Sequence, residues 1–529
     1  MERLNDEPRW PIMKNILLTT FVVIASTAAA TTYARAGDRP QLVIGLNDQP
    51  AKLEPADAPL SVDMRVTYSV FDTLIRRDYA SEQTAGHAVL IPSLATAWKR
   101  IDDRTIELKL RQNVKFHNGD TLTAQDVAFT FSKERIFGDK ALVPTAKRYL
   151  GDIEAVEIID PETIRIRAAR PNPVLELRLA DTTAAVVNER AYREMGVNGF
   201  KRHPVGTGPA KFVQWDDGDK LTFEPFDNYW GGKPAFGRLV FRVIPDSQAR
   251  LACLINHECD LIVQVDPDQL STISSYEYLK TEESVIENLQ VIWFVGTEPY
   301  VKDKRIRQAL SLSIDRNLLV QALWSGKTTV PTSWQISAFG DLFDPQRQDF
   351  VFDPQKAKRL LAEAGYDGGE ILIRNVSGYY PFGDQMIQAV QKMWQNVGLN
   401  VKLQMVENVA QSYQPGRSIG TGSVSFLMPA PEGLGYALFE KGGLAETRHG
   451  FQPSTEFKKL VGTFYSTADG AVRKTTYKQI LDYLADEMPA TAVYMMPQFY
   501  GVSTKINWHP IPNYPLDFRP DSFAFKVGE

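Results

Sequence analysis

The sequence predicts an α/β fold divided into two or three lobes. The chain has 529 residues, whereas single hydrophobic cores stop growing at about 250 to 300 residues. Strand-like and helix-like segments alternate along it without a fixed repeat, which is typical of α/β lobes rather than of a solenoid or a propeller. Its composition, with 43% hydrophobic and 23% charged residues, is that of a folded globular protein.

Several segments carry the pattern of half-buried strands. The first follows the N-terminal region, and three more show period-two alternation between apolar and polar residues. These predicted strands are Gln41–Leu46, Ile106–Leu110, Ile164–Arg167 and Leu221–Glu224. Between the first two, a helix is predicted with one apolar face that contains Val66, Val70, Phe71 and Leu74.

Two helices in the second half have clear local signals. In the first, Asp353 is the predicted N-cap, Pro354 takes the first helical position and Gly365 ends the helix. Its apolar residues Ala357, Leu360, Leu361 and Ala364 recur at helical spacing. The second helix places Ile387, Val390, Met393, Trp394 and Val397 on one face. Gly398 closes it, and the alternating segment Leu399–Leu403 is predicted as the next strand.

The N-terminus resembles an export signal. Met13 and Lys14 precede an apolar run from Ile16 to about Ala30, and Ala34-Arg35-Ala36 then supplies a small-x-small cleavage pattern. We expect residues 1–36 to be a signal peptide cleaved after Ala36, with Met13 as an alternative start. The expected location is the periplasm, and we expect the mature chain not to insert into a membrane.

The charge of the chain argues against polyanionic partners. The formal net charge is −5 over 529 residues, which gives no strong positive field for nucleic acid or for an anionic membrane surface. We therefore expect a small solute as the ligand and no nucleic-acid partner.

The only two cysteines, Cys253 and Cys259, are separated by a short segment that contains His257. An oxidising compartment permits a disulfide between them, and two buried thiols are the alternative. A metal site is the third possibility, but it lacks a second group of soft ligands. We predict no metal site and no cofactor.

No local motif predicts catalysis. Gly326-Lys327-Thr328 lacks the earlier glycine of a phosphate-binding loop, and Gly206-Thr207-Gly208-Pro209 lacks the third glycine of a dinucleotide fingerprint and reads as a tight turn. Neither a His-Glu-x-x-His pattern nor a Gly-x-Ser-x-Gly elbow occurs. No catalytic residue is predicted, and the sequence favours a binding protein over an enzyme.

Four ordered blocks carry a family resemblance. The first contains Ile91–Trp98 and Leu108–Val127, and the second contains Pro204–Phe212 and Asn228–Pro234. The third is Val301–Arg316, and the fourth is the helix from Asp353 to Tyr366. Together they resemble the extracellular solute-binding proteins of family 5, which serve dipeptide, oligopeptide and nickel importers of the ATP-binding-cassette (ABC) type.

The resemblance implies a type II periplasmic-binding-protein fold of cluster C, with two lobes and an extra inserted domain. Lobe I would contain residues 37–80, 200–290 and 500–529. The inserted domain would span residues 81–199, and lobe II residues 291–499. A ligand would be held between the lobes.

The resemblance and the strand pattern also suggest ligand contacts. Peptide-binding relatives pair the peptide amino terminus with an acidic residue in a stretch comparable to Met428–Gly433, where Glu432 is the acidic candidate. The remaining candidates follow a strand, follow a chain crossing, or lie in a glycine-rich loop. They are Asn47, Asp48 and Gln49, then Trp293 and Phe294, and then Tyr436, Arg448 and His449.

The resemblance therefore predicts the periplasmic binding component of an ABC importer for peptides or peptide-like solutes. We expect a monomer that works with inner-membrane permease and ATPase subunits. A receptor for an opine, an oligosaccharide, nickel or a metal chelate is the alternative, and a secreted hydrolase is a remote one.

Overall fold

A computed structural model describes residues 39–57, 61–426 and 428–526, without the side chains of Gln83 and Tyr436. The predicted signal peptide lies outside these residues. The described chain mixes helices with two main sheets, which confirms the predicted α/β class.

The larger sheet has ten strands in the described part of the chain. In spatial order they are Val401–Val406, Ile371–Val376, Ile419–Ser425, Leu279–Phe294, Ala490–Ser503, Leu261–Ile262, Gln41–Leu46, Arg238–Val243, Lys220–Pro225 and Ala210–Asp216. The smaller sheet has the order Ala95–Arg100, Thr105–Leu110, Thr163–Ala168 and Ile153–Asp160. Two short pairs complete the strands: Ile75–Arg77 with Leu90–Pro92, and Ile506–Asn507 with Ala524–Phe525.

Two long antiparallel strands, Leu279–Phe294 and Ala490–Ser503, connect the two halves of the larger sheet. We refer to them as the hinge strands. Their pairing register shifts between Val285 and Leu289, so that Ile286, Glu287 and Asn288 form a bulge. A bulge interrupts the ladder and bends the strand locally.

Helices surround the sheets. Before the first hinge strand they are Ser61–Thr67, Tyr79–Ala85, Ala124–Thr130, Lys147–Leu150, Leu175–Leu179, Glu189–Phe200, Ser247–Ile255 and Leu270–Ser274. Between the hinge strands they are Lys304–Leu312, Arg316–Trp324, Pro354–Glu363, Gly383–Asn396, Val409–Ser412, Gly435–Leu438, Leu444–His449, Thr455–Ser466 and Gly470–Glu487. Among these helices, none is long and apolar enough to cross a membrane.

The strong local signals of the sequence are confirmed. Asp353 caps the helix Pro354–Glu363 by accepting a hydrogen bond from the backbone N–H of Lys356 at 2.8 Å. Gly365 and Gly398 follow their helices with positive φ angles of +68° and +99°, a conformation that glycine adopts without steric penalty. The four strands predicted in the first half of the chain also form, with ends that differ by at most one residue. The predicted strand Leu399–Leu403 forms as Val401–Val406, so it begins two residues later and ends three residues later.

One predicted helix is too long. The helix ends at Thr67, so Val70, Phe71 and Leu74 are not on its face. They are nevertheless buried, because the chain after Thr67 packs against the segment that contains Gly206 and Gly208. The backbone oxygen of Val70 accepts a hydrogen bond from Gly208 N–H at 2.9 Å, and that of Ser69 accepts one from Ala210 N–H at 3.0 Å. Tertiary packing, rather than helical periodicity, explains their apolar character.

Three hydrophobic clusters form the interior. One packs against the larger sheet and contains Trp293, Trp324 and Trp394. A second contains Leu42, Phe241 and Trp508, and a third lies against the smaller sheet. A small fourth cluster joins Val174 and Leu177 to Met428 and Ala430.

Candidate functional site

A well-defined cavity lies beside the bulge of the hinge strands. Its volume is about 920 Å³, including its open mouth. It is lined by Met64, Tyr68, Arg77, Tyr79, Tyr149, Leu177, Ala180, Asp181, Thr182, Thr183, Ile286, Glu287, Ser425, Phe426, Met428, Pro429, Asn513 and Tyr514. These residues come from distant parts of the chain, and the cavity therefore exists only in the folded protein.

Local structure places the polar groups at this position. Arg77 ends a short strand, and Asp78 then caps the helix Tyr79–Ala85. Glu287 lies in the bulge, where the interrupted ladder allows its side chain to turn toward the cavity. Ser425, the last residue of its strand, pairs with Asn288, so the following loop starts directly beside the bulge.

Arg77 is held between two carboxylates. Its Nε and Nη2 donate to the two carboxylate oxygens of Glu82 at 3.0 and 2.7 Å. Its Nη1 and Nη2 donate to Glu287 at 2.9 and 2.8 Å. The guanidinium also lies 4.4 Å from the ring centroid of Tyr79, within cation–π distance. These contacts fix Arg77, and they also leave more negative than positive charge around it.

Asp181 adds a carboxylate that has no basic partner. One of its oxygens caps the turn Thr182–Ala184 by accepting from Thr183 N–H at 2.8 Å and from the Thr183 hydroxyl at 2.5 Å. Burial raises the pKa of Asp181, although Thr183 and the charges of Arg178 and Arg77 oppose this effect. In the described part of the chain, Asp181 forms no ion pair.

The electrostatic character of the cavity is therefore acidic. The cavity wall carries two carboxylates, Asp181 and Glu287, and the guanidinium of Arg77. That guanidinium is also paired with a third carboxylate, Glu82, which does not line the cavity. A carboxylate removed from water is stabilised when a cation pairs with it. The arrangement favours a ligand that brings an ammonium or another cationic group.

Aromatic side chains form most of the remaining wall. Tyr68, Tyr79, Tyr149, Phe426 and Tyr514 all line the cavity. Tyr514 is held in place because its hydroxyl accepts a hydrogen bond from Asn288 Nδ2 at 2.8 Å. Apolar walls with few polar groups at fixed positions are typical of small-molecule sites.

The cavity is closed on one side by an apolar contact. Val174 and Leu177, near the helix Leu175–Leu179, pack against Met428 and Ala430 in the loop after the strand Ile419–Ser425. This contact joins two parts of the chain that belong to different hydrophobic clusters.

The three candidates after the first strand do not line this cavity. Asn47 accepts a hydrogen bond from the buried Arg65 at 2.8 Å, and Gln49 accepts one from Gly218 N–H at 2.7 Å. Asp48 is exposed and accepts from Gln49 N–H. The structure therefore brings these three residues together beside Arg65 and the turn at Gly218.

Four other candidates lie apart from this cavity. The rings of Trp293 and His449 stack 4.4 Å apart with an interplanar angle of 6°, and both are buried. Burial and the charges of Arg417 and Arg448 lower the pKa of His449 to about 3, so this imidazole is neutral at pH 7. Phe294 is buried beside Trp293 at the end of the first hinge strand. None of these residues, including Arg448, lines the cavity.

Glu432 lines a second cavity, whose volume is about 730 Å³ including its open mouth. Its Oε1 accepts from Arg473 Nη2 at 2.7 Å, and only 1% of its side chain is exposed. Tyr436 belongs to the helix Gly435–Leu438, and its side chain lies outside the described part of the structure.

Sequence reasoning missed Arg77, Asp181 and Glu287. A partial signal was present, because Glu287 and Asn288 stand between the apolar residues Ile286 and Leu289 next to the expected chain crossing. The segment Asp181-Thr182-Thr183 has the pattern of a helix cap, which does not indicate a ligand site. No sequence pattern indicated a role for Arg77.

The structure joins Cys253 and Cys259 by a disulfide. In the described residues, no group of three or more His, Cys, Asp or Glu side chains could hold a metal ion.

A sequence model of the bacterial extracellular solute-binding proteins, family 5, matches residues 89–432. The chain belongs to this family. Two curated members illustrate the relationship. The dipeptide-binding protein of Escherichia coli (strain K12) is 26% identical over 351 residues, which cover 60% of this chain and 64% of that protein. The oligopeptide-binding protein AppA of Bacillus subtilis (strain 168) is 26% identical over 438 residues, or 76% and 77% of the two chains. The chain thus spans slightly less than two thirds of the first of these relatives.

The family 5 fold is also found by structural comparison. The crystal structure of a dipeptide-binding protein from Pseudoalteromonas sp. SM9913, solved in complex with Met-Leu, superposes with a TM-score of 0.77 at 23% identity. The match covers 92% of this chain and 100% of that protein. The fold is therefore that of the type II periplasmic binding proteins of cluster C, as the sequence predicted.

Proposed function

We propose that this protein is the solute-binding component of an ABC importer and that it captures a peptide-like solute with a cationic amine. The observation that carries the proposal is the acidic cavity at the hinge strands, where Asp181 and Glu287 face the same space. Family membership and the peptide-binding relatives support the substrate class.

The proposal treats residues 37–80, 200–290 and 500–529 as lobe I, residues 81–199 as the inserted domain and residues 291–499 as lobe II. The three large hydrophobic clusters support this division, since each is composed mainly of residues from one of these parts. The two hinge strands pass between the lobes at the proposed boundaries near residues 290 and 500.

Closure of the lobes around the solute explains how binding leads to transport. A ligand that contacts both lobes stabilises the closed state and shifts the population toward it. Reversing a 1:99 population requires about 5.5 kcal/mol of differential binding, and a few buried hydrogen bonds to charged groups, at about 1.5 to 3 kcal/mol each, provide this amount. Membrane permease and ATPase subunits would recognise the closed form.

The proposal places the mature protein in the periplasm as a monomer, after removal of residues 1–36. The apolar run and the small-x-small pattern at Ala34–Ala36 support export. The proposed role requires ligand binding and release, without catalysis and without a cofactor.

The direct experiment is to identify the solute. The chain is expressed in a bacterial periplasm, purified without denaturation, and the bound molecules are released by acid and analysed by mass spectrometry. We expect peptides or amino-acid conjugates with a free amine. Recovery of a solute without any cationic group, such as a neutral oligosaccharide, would overturn the proposal.

A substitution then tests the proposed anchor. Asp181→Asn retains an oxygen that can cap Thr183 but removes the negative charge. We expect the affinity for the amine-bearing solute to fall about tenfold, or ~1.4 kcal/mol. Asp469→Asn is the matched control, because Asp469 caps the exposed start of another helix and does not line the cavity. Equal affinity in both variants would exclude Asp181 as the anchor.

A further inference from the structure

Three arginines, Arg374, Arg417 and Arg448, lie together in proposed lobe II beside the ring of Tyr413. The guanidinium carbons of Arg417 and Arg448 lie 4.3 and 5.0 Å from the centroid of this ring. Arg374 pairs in register with Gly420, three residues beyond Arg417. Burial lowers the pKa of Arg417, and the charges of Arg374 and Arg448 lower it further against the opposing effect of Tyr413. We refer to the three side chains as the arginine cluster.

The hydrogen-bond acceptors of the cluster are neutral. Arg374 Nε donates to the side-chain oxygen of Gln404 at 2.9 Å, and its Nη1 donates to the backbone oxygen of Pro415 at 3.1 Å. Arg417 Nη2 donates to the backbone oxygen of Arg448 at the long distance of 3.3 Å. In the described part of the chain, none of the three arginines forms an ion pair with a carboxylate. The cluster therefore holds three positive charges without a negative one.

Arg417 is the member for which the missing anion matters most, because only 6% of it is exposed. A charge removed from water is stabilised when it is paired and hydrogen-bonded. The other buried arginines of this protein illustrate the rule: Arg77, Arg135, Arg473 and Arg519 pair with carboxylates, and Arg250 donates to four backbone oxygens. Arg417 has neither kind of environment, which points to an anionic partner outside the chain.

The surroundings fix Arg417 and keep the cluster close to solvent. A Cβ at Gly420 would lie 2.5 Å from Arg417 Nη1, so the guanidinium occupies space that any larger residue would fill. The Nδ1 atom of His449 lies 3.5 Å from Arg417 Nη2, and this imidazole is neutral at pH 7. Tyr413 is 39% exposed and Arg448 is exposed, so the cluster reaches the protein surface.

The cluster is separate from the acidic cavity. Arg417 lies two residues before the strand Ile419–Ser425, and Ser425 lines that cavity. At about 3.3 Å per residue, the strand spans about 20 Å between the two places. None of the three arginines lines the acidic cavity or the second cavity.

The chemistry of the cluster favours a phosphate-class anion. Guanidinium groups are planar, permanently charged and matched in geometry to carboxylate and phosphate oxygens. A carboxylate brings one negative charge, whereas a phosphoryl group brings about 1.5 to 2 negative charges at pH 7 and three acceptor oxygens. The phosphoryl group therefore compensates three guanidiniums more fully.

We propose that Arg374, Arg417 and Arg448 form a binding site for a phosphate-class oxyanion, separate from the cavity that holds the solute amine. The site goes beyond the proposed function and does not depend on it. Occupation of the site neutralises the cluster and therefore stabilises the fold of proposed lobe II.

Calorimetric titration with inorganic phosphate provides the first test. The full mature chain is dialysed free of phosphate and sulfate, and sodium chloride holds the ionic strength constant, because salt screens exposed charges. We expect one phosphate site per chain and a higher midpoint of thermal denaturation when phosphate is present. The absence of phosphate binding at millimolar concentrations would overturn the proposal, although the proposed function would stand.

Two substitutions provide the second test. Arg417→Gln removes the buried charge, and Arg448→Gln removes an exposed charge whose loss does not disturb the interior. We expect each variant to bind phosphate about tenfold more weakly or worse. Arg238→Gln is the matched control, because Arg238 is an exposed arginine at the start of the strand Arg238–Val243 in proposed lobe I. Circular dichroism checks that all three variants are folded.

The location of the anion completes the test. Equal phosphate affinity in the parent protein and the three variants would mean adventitious anion binding only and would overturn the site. Crystals grown in phosphate should show the anion within hydrogen-bond distance of Arg417 and Arg448. Phosphate found only elsewhere, including in the acidic cavity, would contradict the proposal.

Discussion

Arg77 and Glu287 form a two-bond ion pair at 2.9 and 2.8 Å that ties the short strand before the helix Tyr79–Ala85 to the bulge of the first hinge strand. Both side chains are at least nine-tenths buried. The pair thus lies at the point where the chain passes between the proposed lobes, and it forms part of the cavity wall. The geometry of the site and the stability of the protein both depend on it.

Substitution of Arg77 should destabilise the protein more than substitution of Glu287. Arg77→Met leaves Glu82 and Glu287 buried without a cation, so we expect the free energy of unfolding to fall by about 3 to 5 kcal/mol. Glu287→Gln leaves Arg77 paired with Glu82, and the expected loss is only about 1 kcal/mol. Urea denaturation measures both values, with the exposed Arg190→Met as the control. A larger loss for Glu287→Gln than for Arg77→Met would contradict this order.

Ligand affinity should decrease on acidification because of Asp181. A raised pKa means that this carboxylate is protonated at a higher pH than an ordinary aspartate, and a protonated carboxyl no longer attracts a cation. Calorimetric titrations at decreasing pH should therefore show affinity falling at pH values above the ordinary aspartate range. In Asp181→Asn, this part of the pH dependence should disappear. An identical pH profile in the two proteins would show that another group controls it.

The stability of the protein should decrease between pH 7 and pH 5 because of His449. The imidazole has a pKa of about 3 in the folded protein against an ordinary value of 6.5. Below pH 6.5 the unfolded chain therefore binds a proton that the folded chain does not, and folding loses stability as the pH falls. For this residue the expected loss by pH 5 is about 2 kcal/mol.

His449→Phe tests this assignment, because the phenyl ring can retain the stacking on Trp293 but cannot titrate. Urea denaturation at the two pH values should show a difference about 2 kcal/mol smaller in the variant than in the parent protein. The same pH difference in both proteins would mean that His449 is already protonated in the fold or contributes nothing.

Alanine substitution should lower the stability of the protein at one glycine and raise it at another. A Cβ at Gly206 would lie 2.0 Å from the backbone oxygen of Val70, so Gly206→Ala requires the backbone to move and should strongly destabilise the protein. Gly462 lies inside the helix Thr455–Ser466 and a Cβ there meets nothing within 4 Å. Gly462→Ala should therefore stabilise the protein by up to about 1 kcal/mol. Thermal denaturation should show a lower midpoint for the first variant and a higher one for the second. Equal midpoints would contradict the packing at Gly206.

The sequence predicted the locally determined parts of the fold. The helix N-cap at Asp353 and the helix end at Gly398 depend on residues within a few positions. They could therefore be predicted without knowledge of the rest of the chain. The helix predicted to reach Leu74 was too long because Val70 is buried by a contact with residue 208, which local periodicity cannot reveal. The cluster C fold was predictable because the four family blocks are spread along the chain.

The site was much less predictable than the fold. The position of Asn47 after a strand suggested a ligand contact, but its side-chain oxygen accepts a hydrogen bond from Arg65. The cavity is instead lined by Arg77, Asp181 and Glu287, which come from three distant segments of the chain. The resemblance singled out Glu432, which the structure places in the second cavity rather than the first. Such convergence depends on the fold of the whole chain.

The distance between the inserted domain and lobe II tests the central claim most directly. Lys140→Cys and Lys459→Cys place two exposed thiols on these parts for spin labelling, and the two native cysteines are already bonded to each other. Pulsed electron paramagnetic resonance then measures the distance distribution with and without the solute identified by mass spectrometry. Closure around the solute predicts a shorter and narrower distribution when it is bound. An unchanged distribution at saturating solute would contradict closure.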